Sequence, residues 1–313
     1  MARLAEVEGR ISSMEQLLDI VGAMRSMAAM RMQQAHRALP GIRRYTAQVA
    51  SGLASSSAIL GAAPEARRSP SRRAVVVIAS EHGFVSAYND KLIDAFEQQR
   101  RPDDALFCVG TRGAMMLAER GVKPDWTCPM VTRCAGATDS VHRLTTELYQ
   151  YLSRGEVSSV ELIHSDCGPS GTAAILTRQR LVPVDLAAFV GMAPPRAPIF
   201  TMSATDLYER LVAEYLFARL TQGVVEAIGS ENATRLAAMQ SARENVLEKL
   251  DDLQRVASQL RQGEITNELL ELVTGAAAQS SRGTQRRDRA SSTPASATDA
   301  QSQAHERTPE NAR

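Results

Sequence analysis

Aromatic residues are scarce in this chain of 313 residues, at 4% with a single Trp, so its packing must rest on aliphatic and thioether side chains. No apolar run approaches the ~20 residues needed to cross a bilayer, which argues against a membrane-spanning helix. Glu6 and Glu8 stand where a secretory leader would need an unbroken apolar core, so a cytoplasmic protein is expected. Charge of one sign is lacking too. With 36 basic and 35 acidic side chains the formal net charge is +1, which removes any global attraction to nucleic acid. The local cluster Arg67, Arg68, Arg72 and Arg73 lies beside Pro64, Ser69 and Pro70 and reads as a solvated linker.

Metal and nucleotide signatures are missing as well. Cys108, Cys128, Cys134 and Cys167 have no CxxC spacing and the histidines are scattered, so neither a zinc site nor a disulfide framework is expected. The cysteines read as small buried or half-buried residues. There is no GxxxxGK[ST] loop and no GxGxxG after a strand. Gly110-Thr111-Arg112-Gly113 could hold an anion on backbone N–H groups, but a tight turn is the better reading. Glu81 with His82, and His164 with Asp166, each stand at a strand end without a nucleophile nearby, and read as structural. No catalytic residue, cofactor or metal is expected.

What the chain does have is two long stretches of helix formers. Leu4, Val7, Ile11, Met14, Leu18 and Val21 run in heptad rhythm, and after Arg25 the seam resumes at Ala28, Met32, Ala35 and Leu39. Pro40-Gly41 should interrupt this helix before it resumes over 42–60. From Ser203 to Ala278 there is no proline. At ~1.5 Å rise per residue that stretch alone would be on the order of 110 Å long. Its seam runs Val246, Leu250, Leu253, Ala257 and Leu260, then shifts past Gly263 to Ile265, Leu269, Leu272 and Ala276. The expected class is α/β: a rod of paired terminal helices carrying an inserted small α/β sheet domain. The expected bounds are helix 1–60, linker 61–73, α/β domain 74–195, helix 203–278 and a disordered tail 279–313.

Within the insert, Ala74–Ala79 is a short β-branched apolar run that reads as a buried parallel strand. A helix over 87–99, a strand over 106–109, helices over 114–120 and 138–153, and strands over 159–164 and 172–182 complete the alternation. Met24, Met27, Met30 and Met32 are spread around the first helix. They fit either core packing or a soft apolar surface for a second partner.

The run Ile20-Val21-Gly22-Ala23-Met24-Arg25-Ser26-Met27-Ala28-Ala29-Met30-Arg31-Met32 resembles the I-T-K-A-M-x-M-V-A-A-x-K-M pattern of the gamma subunit of rotary F-type ATP synthases. Gly223-Val224-Val225-Glu226 with Ser230-Glu231-Asn232-Ala233-Thr234-Arg235 is similar to that family's G-x-x-E-x-x-x-S-E-x-x-x-R. Arg261-Gln262-Gly263-Glu264-Ile265-Thr266-Asn267-Glu268-Leu269 through Gly275-Ala276 resembles its R-Q-A-x-I-T-x-E-L-x-E-I-V-x-G-A. The resemblance spans about residues 2–278.

It implies a non-catalytic central-stalk rotor of α/β class, a long antiparallel coiled coil of the N- and C-terminal helices with an inserted Rossmann-like α/β domain, turning inside a ring of alpha and beta subunits. Its foot would touch the epsilon subunit and the c-subunit ring, at the cytoplasmic face of a bacterial plasma membrane. It further implies that Met24, Arg25, Arg235, Arg261, Gln262, Thr266, Glu268 and Glu271 serve contact with the stator or coupling. The loop Ser80–Asn89 keeps only Gly83 and Asn89 of the family pattern, Gly22 replaces a lysine, and the paired-cysteine insert of chloroplast members is missing. These departures and the extra tail suggest an atypical bacterial enzyme. The competing reading is a homo-oligomeric coiled-coil scaffold with an α/β interaction domain.

Overall fold

The structure is a computed structural model that describes residues 2–60, 72–166, 168, 175–189 and 201–290. Cys167 and the stretch 169–174 fall outside the described residues, as do 190–200 and 291–313. Two compact units are distinguished: residues 12–250, and Met1–Ile11 together with Asp251–Arg313.

In the larger unit the apolar run forms β1 (Arg72–Ile78), whose residues 73–78 are all buried. It is followed by α2 (Tyr88–Glu97), β2 (Ala105–Val109), α3 (Thr111–Glu119), β3 (Trp126–Cys128), α4 (Ala137–Ser153), β4 (Val157–Asp166) and β5 (Ile175–Val182). The sheet order is β3-β2-β1-β4-β5. All pairings are parallel except β4 with the edge strand β5. β3, with only 3 residues, is too short for periodicity to announce.

Because β1 is covered on both faces, its side chains are apolar without alternation. Val75 and Val77 face α2 and α3, in a cluster with Leu92, Phe96 and Leu117. Ala74, Val76 and Ile78 face α4 and α5 (Ala204–Ala290), in a cluster with Leu144, Leu220 and Val224. Ala35 and Leu39 of α1 (Ala2–Leu60) join that second cluster. Within this unit α1 and α5 run antiparallel: Arg25 bonds to Gln240, Arg43 to Glu226, and Gly52 lies against Leu211.

Three expectations are corrected. Helix α1 is continuous through Pro40. The proline sits on the exposed side, where water can satisfy the carbonyl it leaves unpaired, while Leu39, Thr46 and Val49 keep the opposite side buried. Arg72 and Arg73 belong to β1 rather than to a solvated linker. Buried Arg73 pairs with Asp104 at 2.6 Å and Glu161 at 3.1 Å; Arg67 and Arg68 lie outside the described residues. Thr111, Arg112 and Gly113 are the first turn of α3, not a separate turn before it.

In the smaller unit, Arg261 pairs with Glu8 at 2.8 Å. Ala257 is buried and Leu4, Val7, Ile11, Leu253 and Leu260 are half-buried. Past Gly263 the expected seam finds no cover: Ile265, Leu269 and Leu272 are 53%, 57% and 70% exposed. Helix α5 continues to Ala290, beyond the Ala278 boundary that composition suggested.

Two glycines should respond in opposite directions. A Cβ on Gly113 would lie 2.1 Å from the Ala79 Cβ, whereas one on Gly263 meets nothing within 4 Å. Gly113→Ala should destabilise the full chain by about 1–3 kcal/mol through overpacking. Gly263→Ala should stabilise it by about 0.5–1 kcal/mol through helix propensity. Urea unfolding followed by circular dichroism reads both.

Candidate functional site

An open parallel sheet offers its ligand crevice outside the carboxyl ends of its strands, where the chain switches from one side of the first strand to the other. Here that point lies between β1 and β4, and α5 lies over it. A Cβ on Gly223 would sit 2.7 Å from Leu162 Cδ2 and 3.7 Å from the His164 ring, so the bare glycine lets α5 rest directly on β4.

One turn on, Glu226 presents both carboxylate oxygens to that surface. Oε2 accepts from His164 Nε2 at 2.8 Å, and Oε1 accepts from Gln222 Nε2 at 2.8 Å and Arg43 Nη2 at 2.9 Å. Arg43 also reaches Asp166 at 3.3 Å. A further turn on, Ser230 Oγ meets Ser165 Oγ at 2.9 Å. Arg235 then pairs with Glu231 at 2.6 Å and donates to the Gly83 carbonyl at 3.3 Å. Glu226, Ser230, Glu231 and Arg235 are buried, and Gln222 is half-buried.

The electrostatics follow from the contacts. Burial pushes the Glu226 carboxyl up, but hydrogen bonds from His164, Gln222 and Arg43 outweigh it and hold the group at about 2. The carboxylate is therefore ionised at neutral pH and can only accept, which fixes the His164 proton on Nε2. Burial also pushes Glu231 up, with the Arg235 charge opposing it.

Glu81 behaves like Glu226. Burial alone would raise its carboxyl, yet it is held below the ordinary range by the Thr111 N–H and hydroxyl and by the Met130 N–H. The anion site at Gly110–Gly113 thus exists, and the chain's own carboxylate fills it at the α3 N-terminus. Asn89 ties the same loop back, with Oδ1 accepting from Ser80 N at 3.0 Å and Nδ2 donating to Ser80 Oγ at 2.7 Å. Next to the switch point there remains a cavity of only about 140 Å³, bordered by Ser86, Lys91, Ser165 and Thr234. Ligand pockets run to roughly 300–1,000 Å³. Among the described residues no group of His, Cys, Asp and Glu is placed to hold a metal ion.

Apart from Arg235, the residues that the family resemblance singled out fall into two sets. Arg261, Gln262, Thr266, Glu268 and Glu271 are exposed along one stretch of α5, beside the uncovered Ile265, Leu269, Leu270, Leu272 and Val273. Thr266 merely returns its hydroxyl to the Gln262 carbonyl at 2.8 Å. Met24 and Arg25 are half-buried on α1, and Arg25 Nη1 donates to Gln240 at 3.0 Å. Met27 and Met30, by contrast, are 47% and 52% exposed. Arg235 belongs to neither set: it is 6% exposed and faces the chain's own 82–83 loop, so any part it plays passes through that loop.

Sequence reasoning missed the Glu226 cluster. His164 stands 62 residues from its partner and Arg43 stands 183 away, and only the glycine-x-x-glutamate spacing hinted at a special position.

The depressed Glu226 pKa has a definite sign. Its contribution to stability is fully present above the ordinary carboxylate value of 4.5 and is lost as pH falls toward about 2. Glu226→Gln should therefore flatten the acid limb of stability between those values, measured by urea midpoints. At neutral pH it should cost about 3 kcal/mol, as expected when a buried ion pair loses one partner.

The sequence profile of the ATP synthase family matches residues 3–279. A curated ATP synthase gamma chain of Saccharopolyspora erythraea is 27% identical, with 91% of this chain and 100% of that protein covered. One of Flavobacterium psychrophilum is 28% identical, with 89% and 99% covered. In fold, the chain is similar to one from the Euglena gracilis mitochondrial ATP synthase OSCP/F1/c-ring structure (TM-score 0.63, 12% identity, 90% of this chain and 96% of that one). It is also similar to one from the Tetrahymena thermophila central stalk and c-ring structure (TM-score 0.53, 18% identity, 71% and 99%). With a family match over nearly its whole described length, this chain belongs to the ATP synthase family, among the gamma chains.

Proposed function

We propose that this chain is the central-stalk subunit of an F-type ATP synthase, coupling ion flow through a membrane sector to ATP synthesis or hydrolysis by rotation. It is a non-catalytic part of that enzyme. The terminal helices act as an antiparallel coiled-coil shaft received by a ring of alpha and beta subunits. The α/β domain is the foot, meeting an epsilon subunit and a c-subunit ring. No described helix is long and apolar enough to cross a membrane, and attachment is peripheral, through the complex, at the inner face of a bacterial plasma membrane.

The observation that carries this reading is the end of α5. Ile265, Leu269, Leu270, Leu272 and Val273 are 53–70% exposed within the span matched by the family. Soluble proteins rarely leave so contiguous an apolar stripe bare unless another chain covers it. Polar groups interleaved with the stripe can bond to one catalytic subunit at a time and so favour one of its conformations. Arg261, Gln262, Thr266, Glu268 and Glu271 are the candidates on α5, with Met24 and Arg25 on α1. A scaffold reading is not favoured by any particular contact.

Reconstitution tests this directly. Alpha and beta subunits should form a complex whose coupled ATPase requires the chain, and full coupled activity without it would overturn the reading. Arg261→Ala with Gln262→Ala should lower ATP turnover of the assembled complex by about tenfold, the factor that ~1.4 kcal/mol corresponds to, while co-purification is retained. Unchanged turnover would remove that pair from the coupling surface.

A further inference from the structure

One carboxylate joins three elements in the larger unit. Glu226 of α5 receives His164 of β4 on Oε2 and Arg43 of α1 on Oε1, where Gln222 of its own helix also donates. Arg43 closes the loop by reaching Asp166 at the end of β4. Around this point the contact between α5 and the sheet is aliphatic, through Leu162, Ile78, Leu220, Val224 and Ile228. It lies over a glycine rather than an interlocking side chain. Apolar contact of that kind resists separation, but it is non-directional and opposes rotation about the contact only weakly. Charge-assisted hydrogen bonds are directional and are lost steeply with angle. The His164 side of the cluster is 1% exposed, whereas the Arg43 side chain is 51% exposed, so the His164 bond carries most of the constraint.

We propose that Glu226 is a positioning residue, a carboxylate clasp that fixes the angle between the α/β domain and the two helices so that torque entering one reaches the other without slip. This rests on the central-stalk reading. The clasp touches no nucleotide and no ion, and acts only through the orientation of the elements it joins. Its loss is felt under load, when opposing torque strains the junction.

The test uses the whole complex in sealed vesicles, with ATP hydrolysis and ATP-driven ion pumping measured together, with and without an opposing ion gradient. The unaltered complex must pump first; if it hydrolyses ATP without pumping, the central-stalk reading fails and not the clasp. For Glu226→Gln, ions pumped per ATP should fall by about fivefold against a gradient, the factor that ~1 kcal/mol lost at the junction corresponds to. Hydrolysis and pumping without a gradient should change much less. Glu226→Asp, which keeps the charge, should recover part of the ratio. A ratio that stays at the unaltered value under load overturns the clasp, as does a proportional fall of hydrolysis and pumping, which would mark a merely structural role. Should Glu226→Gln fail to assemble, Arg43→Gln decides, since its side chain is half exposed. A smaller fall in the ratio under load supports the clasp, and no fall overturns it.

Discussion

The close approach of α5 to β4 at Gly223 is the constraint on which the rest of the larger unit depends. A helix laid directly on a sheet brings its own polar groups into a space without water. Each must then find a partner, because an unpaired buried carboxylate costs far more than a hydrogen bond returns. Glu226, Ser230, Glu231 and Arg235 all do so, on β4, on α1, on the loop after β1 or on one another. The packing and the polar network are therefore one feature. The glycine sets the distance and the network sets the angle.

The same approach accounts for how little open space is left at the switch point. In α/β proteins of this topology the crevice outside β1 and β4 is where a nucleotide or substrate would sit. Here the helix covers one side, Glu81 accepts the Thr111 N–H at the α3 N-terminus, and Asn89 folds the intervening loop back on Ser80. The polar side chains at this end of the sheet hold α5 and the start of α3 in place.

Much of the fold was legible in the sequence, and the legible part shares a physical cause. Heptad apolar spacing marks Leu4, Val7 and Ile11 as a helix face, and the unbroken run Ala74–Ala79 marks a strand covered on both sides. Where local rules failed, tertiary context had overridden them. Pro40 did not end α1, because its missing hydrogen bond faces water and the opposite side stays anchored. Arg73 did not stay in solvent, because Asp104 and Glu161 wait for it inside. The seam past Gly263 kept its spacing but is exposed among the described residues.

Sequence by itself determined most of the helices and strands, the lack of a nucleotide loop and the long motifs that mark the family, since all of these are written in neighbouring residues. Only the tertiary structure decided what the polar residues do. His164 and Glu81 looked isolated along the chain, while in space one holds α5 through Glu226 and the other caps α3. The reason is the range of the forces. Periodicity and propensity act over a few residues, whereas the partner of a buried charge is whichever group packing brings within about 3 Å, here from as far as 183 positions away.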